Sequence, residues 1–229
     1  MERSTRSVML VFTRCTDPKR EKQFNDWYDN VHIAHILENQ TPGLITVKRY
    51  EVRPSSTEPG RARYVAVYEM SSPEPDAVYA RMRATMNKRR AEGSTYSIDC
   101  LERVNLSCYR RQTTVHPPGL KADSIDGTQG IMVALLQPKP GAKEKTFEDW
   151  YVGTHLKDAA MPGIFHTVSR FVNTDPKNGG KSLTLLETDW KDVEKACEKQ
   201  KTFFPKFTYP KGIKDTYDRV VVAAYQRVL

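Results

Sequence analysis

The sequence predicts an α+β protein of two tandem βαββαβ units whose antiparallel sheets pack together into a pseudo-dimeric barrel. Three observations carry this reading: the chain repeats itself, each copy alternates β-branched runs with helix-period segments, and each unit leaves one sheet face without a helix to cover it. SVMLVFTR (7–14) matches GIMVALLQ (130–137), and EKQFNDWYDNVH (21–32) matches EKTFEDWYVGTH (144–155) at the same spacing. Further on, Pro42-Gly43-Leu44 matches Pro162-Gly163-Ile164, Arg49-Tyr50 matches Arg170-Phe171, and ERVNLSCYRR (102–111) matches DRVVVAAYQR (218–227).

In the first copy, residues 7–14 are rich in β-branched and aromatic side chains and form a strand. Asp17-Pro18 supplies an N-cap and a first-turn proline, after which Phe24, Trp27, Tyr28, Val31 and His35 recur at three and four residues along one helix face. Pro42-Gly43 ends that connection. A second strand over 44–52, a loop over 54–61 and a third strand over 64–70 follow. A helix over 74–90 and a strand over 100–111 close the unit. The second copy repeats the order, with strands near 130–137, 164–173, 182–188 and 217–228 and helices near 143–158 and 190–200. The expected division is 1–115 for the first ferredoxin-like unit, 116–129 for a Pro- and Gly-containing linker, and 130–229 for the second.

Composition excludes several classes. With 11 Tyr, 8 Phe and 3 Trp in 229 residues the chain can build a core, so global disorder is excluded. No run approaches the length of a membrane span. The net charge of +8 is spread along the chain in short clusters, with no zinc-finger, RNP or homeodomain pattern, so neither nucleic acid nor membrane is an expected partner. The four cysteines have no CxxC pairing, which fits a reducing cytoplasmic setting, with Cys100 and Cys108 as packing residues.

The pattern Phe24, Trp27, Tyr28, His32, Pro42-Gly43-Leu44, Arg49-Tyr50, repeated as Phe147, Trp150, Tyr151, His155, Pro162-Gly163-Ile164, Arg170-Phe171, resembles the EthD-like branch of the dimeric α+β barrel superfamily. The resemblance covers both halves. It implies a choice among cofactor-independent cyclases, monooxygenases, isomerases, decarboxylases and lyases acting on aromatic or polyketide-like compounds, and tandem haem enzymes.

His32 and His155 are the first candidates for catalysis, because imidazole moves protons near neutral pH; the alternative is a cap on the helix C-terminus. His35, on the apolar stripe, could pair with His32, and its counterpart is Asp158. Tyr28 and Tyr151 could orient either imidazole or hold a substrate oxygen, while Trp27 could wall a pocket or anchor the core. Tyr68 and Glu69 point to opposite sheet faces, so one of them faces any pocket. Asn105 and His166 are polar residues in otherwise apolar strands and complete the candidate binding set. The His-x-x-His spacing lacks a third ligand, so no metal is expected. His116, in the linker, is expected in solvent.

The expected function is a cofactor-free enzyme using His32 for acid–base chemistry on a hydrophobic small molecule, neutral or anionic, of lyase, cyclase, decarboxylase or isomerase type. One alternative is a haem oxidoreductase or monooxygenase with a histidine axial ligand. Another is a non-catalytic, ligand-holding stress protein. A monomer or a homodimer fits either way.

Overall fold

The computed structural model describes residues 4–53, 62–120, 127–175, 177 and 180–228; the expected loop over 54–61 and the middle of the linker, 121–126, lie outside them. The first unit runs β1 (Ser7–Cys15), α1 (Glu21–Trp27), α2 (Ala34–Glu38), β2 (Leu44–Val52), β3 (Tyr64–Met70), α3 (Pro75–Ala91) and β4 (Leu101–Val115). The second runs β5 (Gly130–Pro138), α4 (Glu144–Trp150), α5 (Leu156–Ala160), β6 (Thr167–Asn173), β7 (Ser182–Thr188), α6 (Val193–Lys201) and β8 (Tyr217–Arg227). Asp17 caps a short 3₁₀ turn, Pro18–Arg20, by accepting from the Lys19 N–H at 2.9 Å.

One local difference from the sequence reading matters. The expected single helices, one carrying the stripe from Phe24 to His35 and one over 143–158, are each broken by a wider π-helical turn, Tyr28–Ile33 and Tyr151–His155. Such turns insert a residue into the α-helical register and re-aim the side chains that follow.

Each unit forms a four-stranded antiparallel sheet, ordered β4-β1-β3-β2 and β6-β7-β5-β8, and the two sheets join at their edges into a closed eight-stranded barrel. At one seam Tyr50, Glu51 and Val52 pair with Arg227, Gln226 and Tyr225. At the other, β4 runs along β6 from Tyr109 opposite Asn173 to Val115 opposite Val168. The sheet faces without helices meet inside the barrel, where Leu10, Phe12, Val65, Val133, Leu183 and Tyr225 form the central core. Closure removes every free sheet edge. The helices cover the outer faces and make two further cores, one per unit. Because β3 and β7 have a core on each side, all seven residues of each are buried. Among the described residues no helix is long and apolar enough to cross a membrane.

Candidate functional site

Each unit holds a cavity between its helices and the outer face of its sheet, and the F-x-x-W-Y-x-x-x-H segment forms one wall. In the second unit the cavity measures about 770 Å³ and is lined by Tyr151, His155, Leu156, Gln200, Phe207 and Arg219 among others. Phe147, Trp150 and Tyr151 are buried and fix the helix on the sheet, with the Trp150 indole N–H donating to the Thr208 carbonyl at 2.7 Å. The π turn then brings His155 to the cavity. Its ring packs against Trp150 (centroids 4.9 Å apart), Tyr151 (4.8 Å), Tyr209 (5.8 Å) and Phe207 (5.9 Å).

Neither ring nitrogen of His155 has a hydrogen-bond partner among the described residues, and Nδ1 is sealed from solvent. Burial pushes this imidazole down to about 4, against the opposing pull of Asp158. It is therefore neutral at neutral pH. Lys201, Lys214 and Arg219 also line the cavity, and among the described residues no carboxylate does. Gln200 donates its amide to the Ala159 carbonyl at 2.9 Å, which leaves its buried Oε1 without a partner.

The first unit repeats the plan with different chemistry. Its cavity, of about 490 Å³, is lined by Tyr28, His32 and Tyr68 among others, with Arg83, Arg90 and Arg103 as its cations. His32 stacks on Trp27 with centroids 5.1 Å apart, and burial also pushes it down to about 4, aided by Arg90. Burial raises the phenols of Tyr28 and Tyr68.

Of the residues expected to form one site, the structure brings Tyr28, His32 and Tyr68 together, and Tyr151 and His155 in the other half. The others lie elsewhere. His35 is not paired with His32 in the cavity, because the π turn rotates it away to Thr95, with Nδ1 and Oγ1 2.8 Å apart. Trp27 lies behind His32 and donates its indole N–H to the Tyr96 carbonyl at 3.2 Å. Glu69 faces the opposite side of its strand, into the barrel, where it accepts from Thr5 at 2.8 Å and Lys48 at 3.0 Å. Asn105 accepts from the Ser107 hydroxyl at 2.8 Å on β4. His166 precedes β6 and contacts the Thr167 hydroxyl at 2.9 Å. His116 is not in open solvent: it is half-buried and donates from Nδ1 to the His166 carbonyl at 2.9 Å. Among the described residues no group of His, Cys, Asp and Glu is arranged to hold a metal ion.

Sequence reasoning missed two buried arginines. Arg49 lies between helix and sheet, 4.0 Å from the Tyr64 ring centre and 4.5 Å from that of Tyr28, with Asp29 at 3.0 Å and Asn25 at 2.6 Å. Arg170 holds the matching place, 4.2 Å from the Tyr151 ring centre, with Glu148 at 2.5 Å. Their repeat as Arg-aromatic pairs was visible in the sequence; that they fix the tyrosine beside each cavity was not.

No known family profile matches the chain, and no curated protein matches it. Solved structures do. A mutant chlorite dismutase from Candidatus Nitrospira defluvii, in complex with cyanide, superposes with a TM-score of 0.58 at 10% identity, covering 100% of this chain and 92% of that one. A Fusobacterium nucleatum protein described as a monooxygenase superposes at 0.57 and 11% identity, covering 98% and 94%. These likenesses show the fold, a closed α+β barrel of eight antiparallel strands like that of the chlorite dismutases. They also count against the expectation of a barrel that works without a cofactor, because the chlorite dismutases among them are haem proteins.

Proposed function

We propose that the protein is a haem-dependent oxidoreductase whose prosthetic group would occupy the second unit's cavity, with His155 as the residue that would hold its iron. The observation that carries the reading is His155 itself: a neutral imidazole whose sealed Nδ1 has no partner among the described residues, beside an apolar cavity of about 770 Å³. An iron ligand must be an unprotonated imidazole, and burial keeps this one so. Lys201, Lys214 and Arg219 supply the cations that two propionates need, and the lack of a lining carboxylate leaves them without an internal competitor there. Phe207, Leu156 and Met132 supply the apolar wall that a macrocycle needs. Bound there, haem would supply one-electron and oxygen or peroxide chemistry. Around it, Tyr151 is held by the Thr184 hydroxyl at 3.0 Å and by Arg170, so its position is fixed before any ligand enters.

The two units, 1–115 and 130–229 joined by 116–129, are read as copies of one EthD-like unit. The parallel placement of Tyr28, His32 and Arg49 with Tyr151, His155 and Arg170 supports this.

Titrating hemin into the purified protein tests the function. One equivalent should give a shifted Soret band that His155→Ala abolishes and His32→Ala keeps. No Soret shift, or a shift indifferent to His155→Ala, overturns the assignment.

A further inference from the structure

The haem reading leaves the first unit's cavity without a task, although it is built as carefully as the other. Its floor is apolar and buried: Met9 and Met82 lie with Tyr28 and Tyr68 against the sheet, and the His32 ring is held by Trp27. Its mouth is cationic. Arg83 and Arg90 reach it from α3 and Arg103 from β4, all three exposed, and among the described residues no Asp or Glu lines the cavity.

What separates these arginines from their neighbours is pairing. Arg89, next to Arg90 on α3, is bonded to Glu38 at 3.2 Å; Arg14 is bonded to Glu102 at 2.8 Å and Arg110 to Glu74 at 3.2 Å. Among the described residues Arg83, Arg90 and Arg103 make no ion pair, and Arg90 is instead steered by Asn87 at 2.9 Å and Ser97 at 3.1 Å. Three unneutralised guanidiniums around one apolar opening form a site for an anion with an apolar body. The fork of each guanidinium matches a carboxylate, and the tyrosine and thioether floor suits a flat aromatic ring.

We propose that the first unit's cavity is a separate binding site for an aromatic carboxylate, its ring against Tyr28, Tyr68 and Met82 and its carboxylate at Arg83, Arg90 and Arg103. His32, neutral where it is buried, contributes its ring face and no charge. The site stands apart from the haem assignment, since it shares no lining residue with the second cavity.

Isothermal titration of the full-length protein with 2-naphthoate, and with the neutral 2-naphthamide as control, tests the proposal. Naphthoate should bind at least tenfold more tightly than the amide. Arg83→Met combined with Arg103→Met should weaken naphthoate at least tenfold and leave the amide unchanged. Both substitutions are at exposed positions, and an unchanged circular dichroism spectrum confirms that the variant is folded. His155→Ala, or saturation with hemin, should leave naphthoate binding as it was. Absence of naphthoate binding at millimolar concentration, equal binding of the amide, or insensitivity to the arginine changes overturns the site. Loss of naphthoate binding in His155→Ala or under hemin would move the ligand to the second cavity and equally overturn it. A missing Soret band tests only the haem reading.

Discussion

Glu148 meets Arg170 at 2.5 Å from the helix position that Asn25 holds in the first unit, where the carboxylate that neutralises Arg49 comes instead from Asp29, one turn later. The position one turn after Glu148 is Val152. Both units thus keep a buried guanidinium over a tyrosine ring, and each neutralises it from a different turn of the same helix.

This arrangement predicts an asymmetry between partners. Arg170 is fully buried, whereas Glu148 is about one-third exposed and can turn to water. Glu148→Leu, which strands the buried cation, should cost about 3–5 kcal/mol in urea unfolding, and Arg170→Met should cost less. Asp29→Asn should be milder than Glu148→Leu because Asn25 still contacts Arg49. An Arg170→Met variant less stable than Glu148→Leu would contradict the assignment.

The two neutral histidines make stability fall in acid. An imidazole near 6.5 when unfolded but about 4 when folded binds its proton in the unfolded state first, so its contribution is complete above pH 6.5 and is lost as pH falls toward 4. Each should contribute on the order of 3 kcal/mol across that window. The urea midpoint should therefore drop between pH 7 and pH 4.5, and His32→Phe with His155→Phe should flatten the drop. A wild-type midpoint independent of pH would refute the burial argument.

The two Pro-Gly turns should respond differently to the same change. Gly43 has φ +95°, and a Cβ there would come within 2.9 Å of Val78 Cγ2; Gly163 has φ +72° with open space around it. Gly163→Ala should cost about 1–2 kcal/mol for the left-handed backbone alone. Gly43→Ala should cost about 1–3 kcal/mol more, because Val78 must also move. Thermal melts of the two variants give the comparison.

Residues 1–115 expressed alone should not remain a monomer. That segment would expose the inner face carrying Leu10, Phe12 and Val65 and leave β2 and β4 as open edges. Light scattering should show dimers or larger assemblies; a stable monomer would show that the second sheet is dispensable.

Much of this fold is legible in the sequence, for a physical reason: the repeat and the period-3.6 stripe of Phe24, Trp27 and Tyr28 are set by burial, and burial leaves its period in the residue pattern. Barrel closure was legible only as a sheet face that needed a cover. The π turns were not, since Tyr28 to His32 reads equally well as an α-helix. His35 was misplaced for that reason. Arg49 and Arg170 look like ordinary polar positions of a strand, and only their packing shows that they are sealed. The arginines at the first cavity are scattered over α3 and β4, and the sheet register brings them to one opening. Arg103 and Arg219 did occupy matching places in the repeat, and that was the signal available for the cationic rims.

The barrel's two seams are unequal. β2 and β8 pair over three residues, reinforced by the backbone bonds Val228 to Arg49 and Arg53 to Ala224, each 3.0 Å, whereas β4 and β6 are zipped along a longer run. A ring opens where it is least stitched, so the lowest-energy breathing motion parts β2 from β8 while the other seam acts as the hinge. The amides of Arg53 and Val228, which donate across the short seam, should then exchange with solvent together, ahead of that of Thr174, which donates to the Cys108 carbonyl across the long one. The molecule would behave as a clasp with one latch.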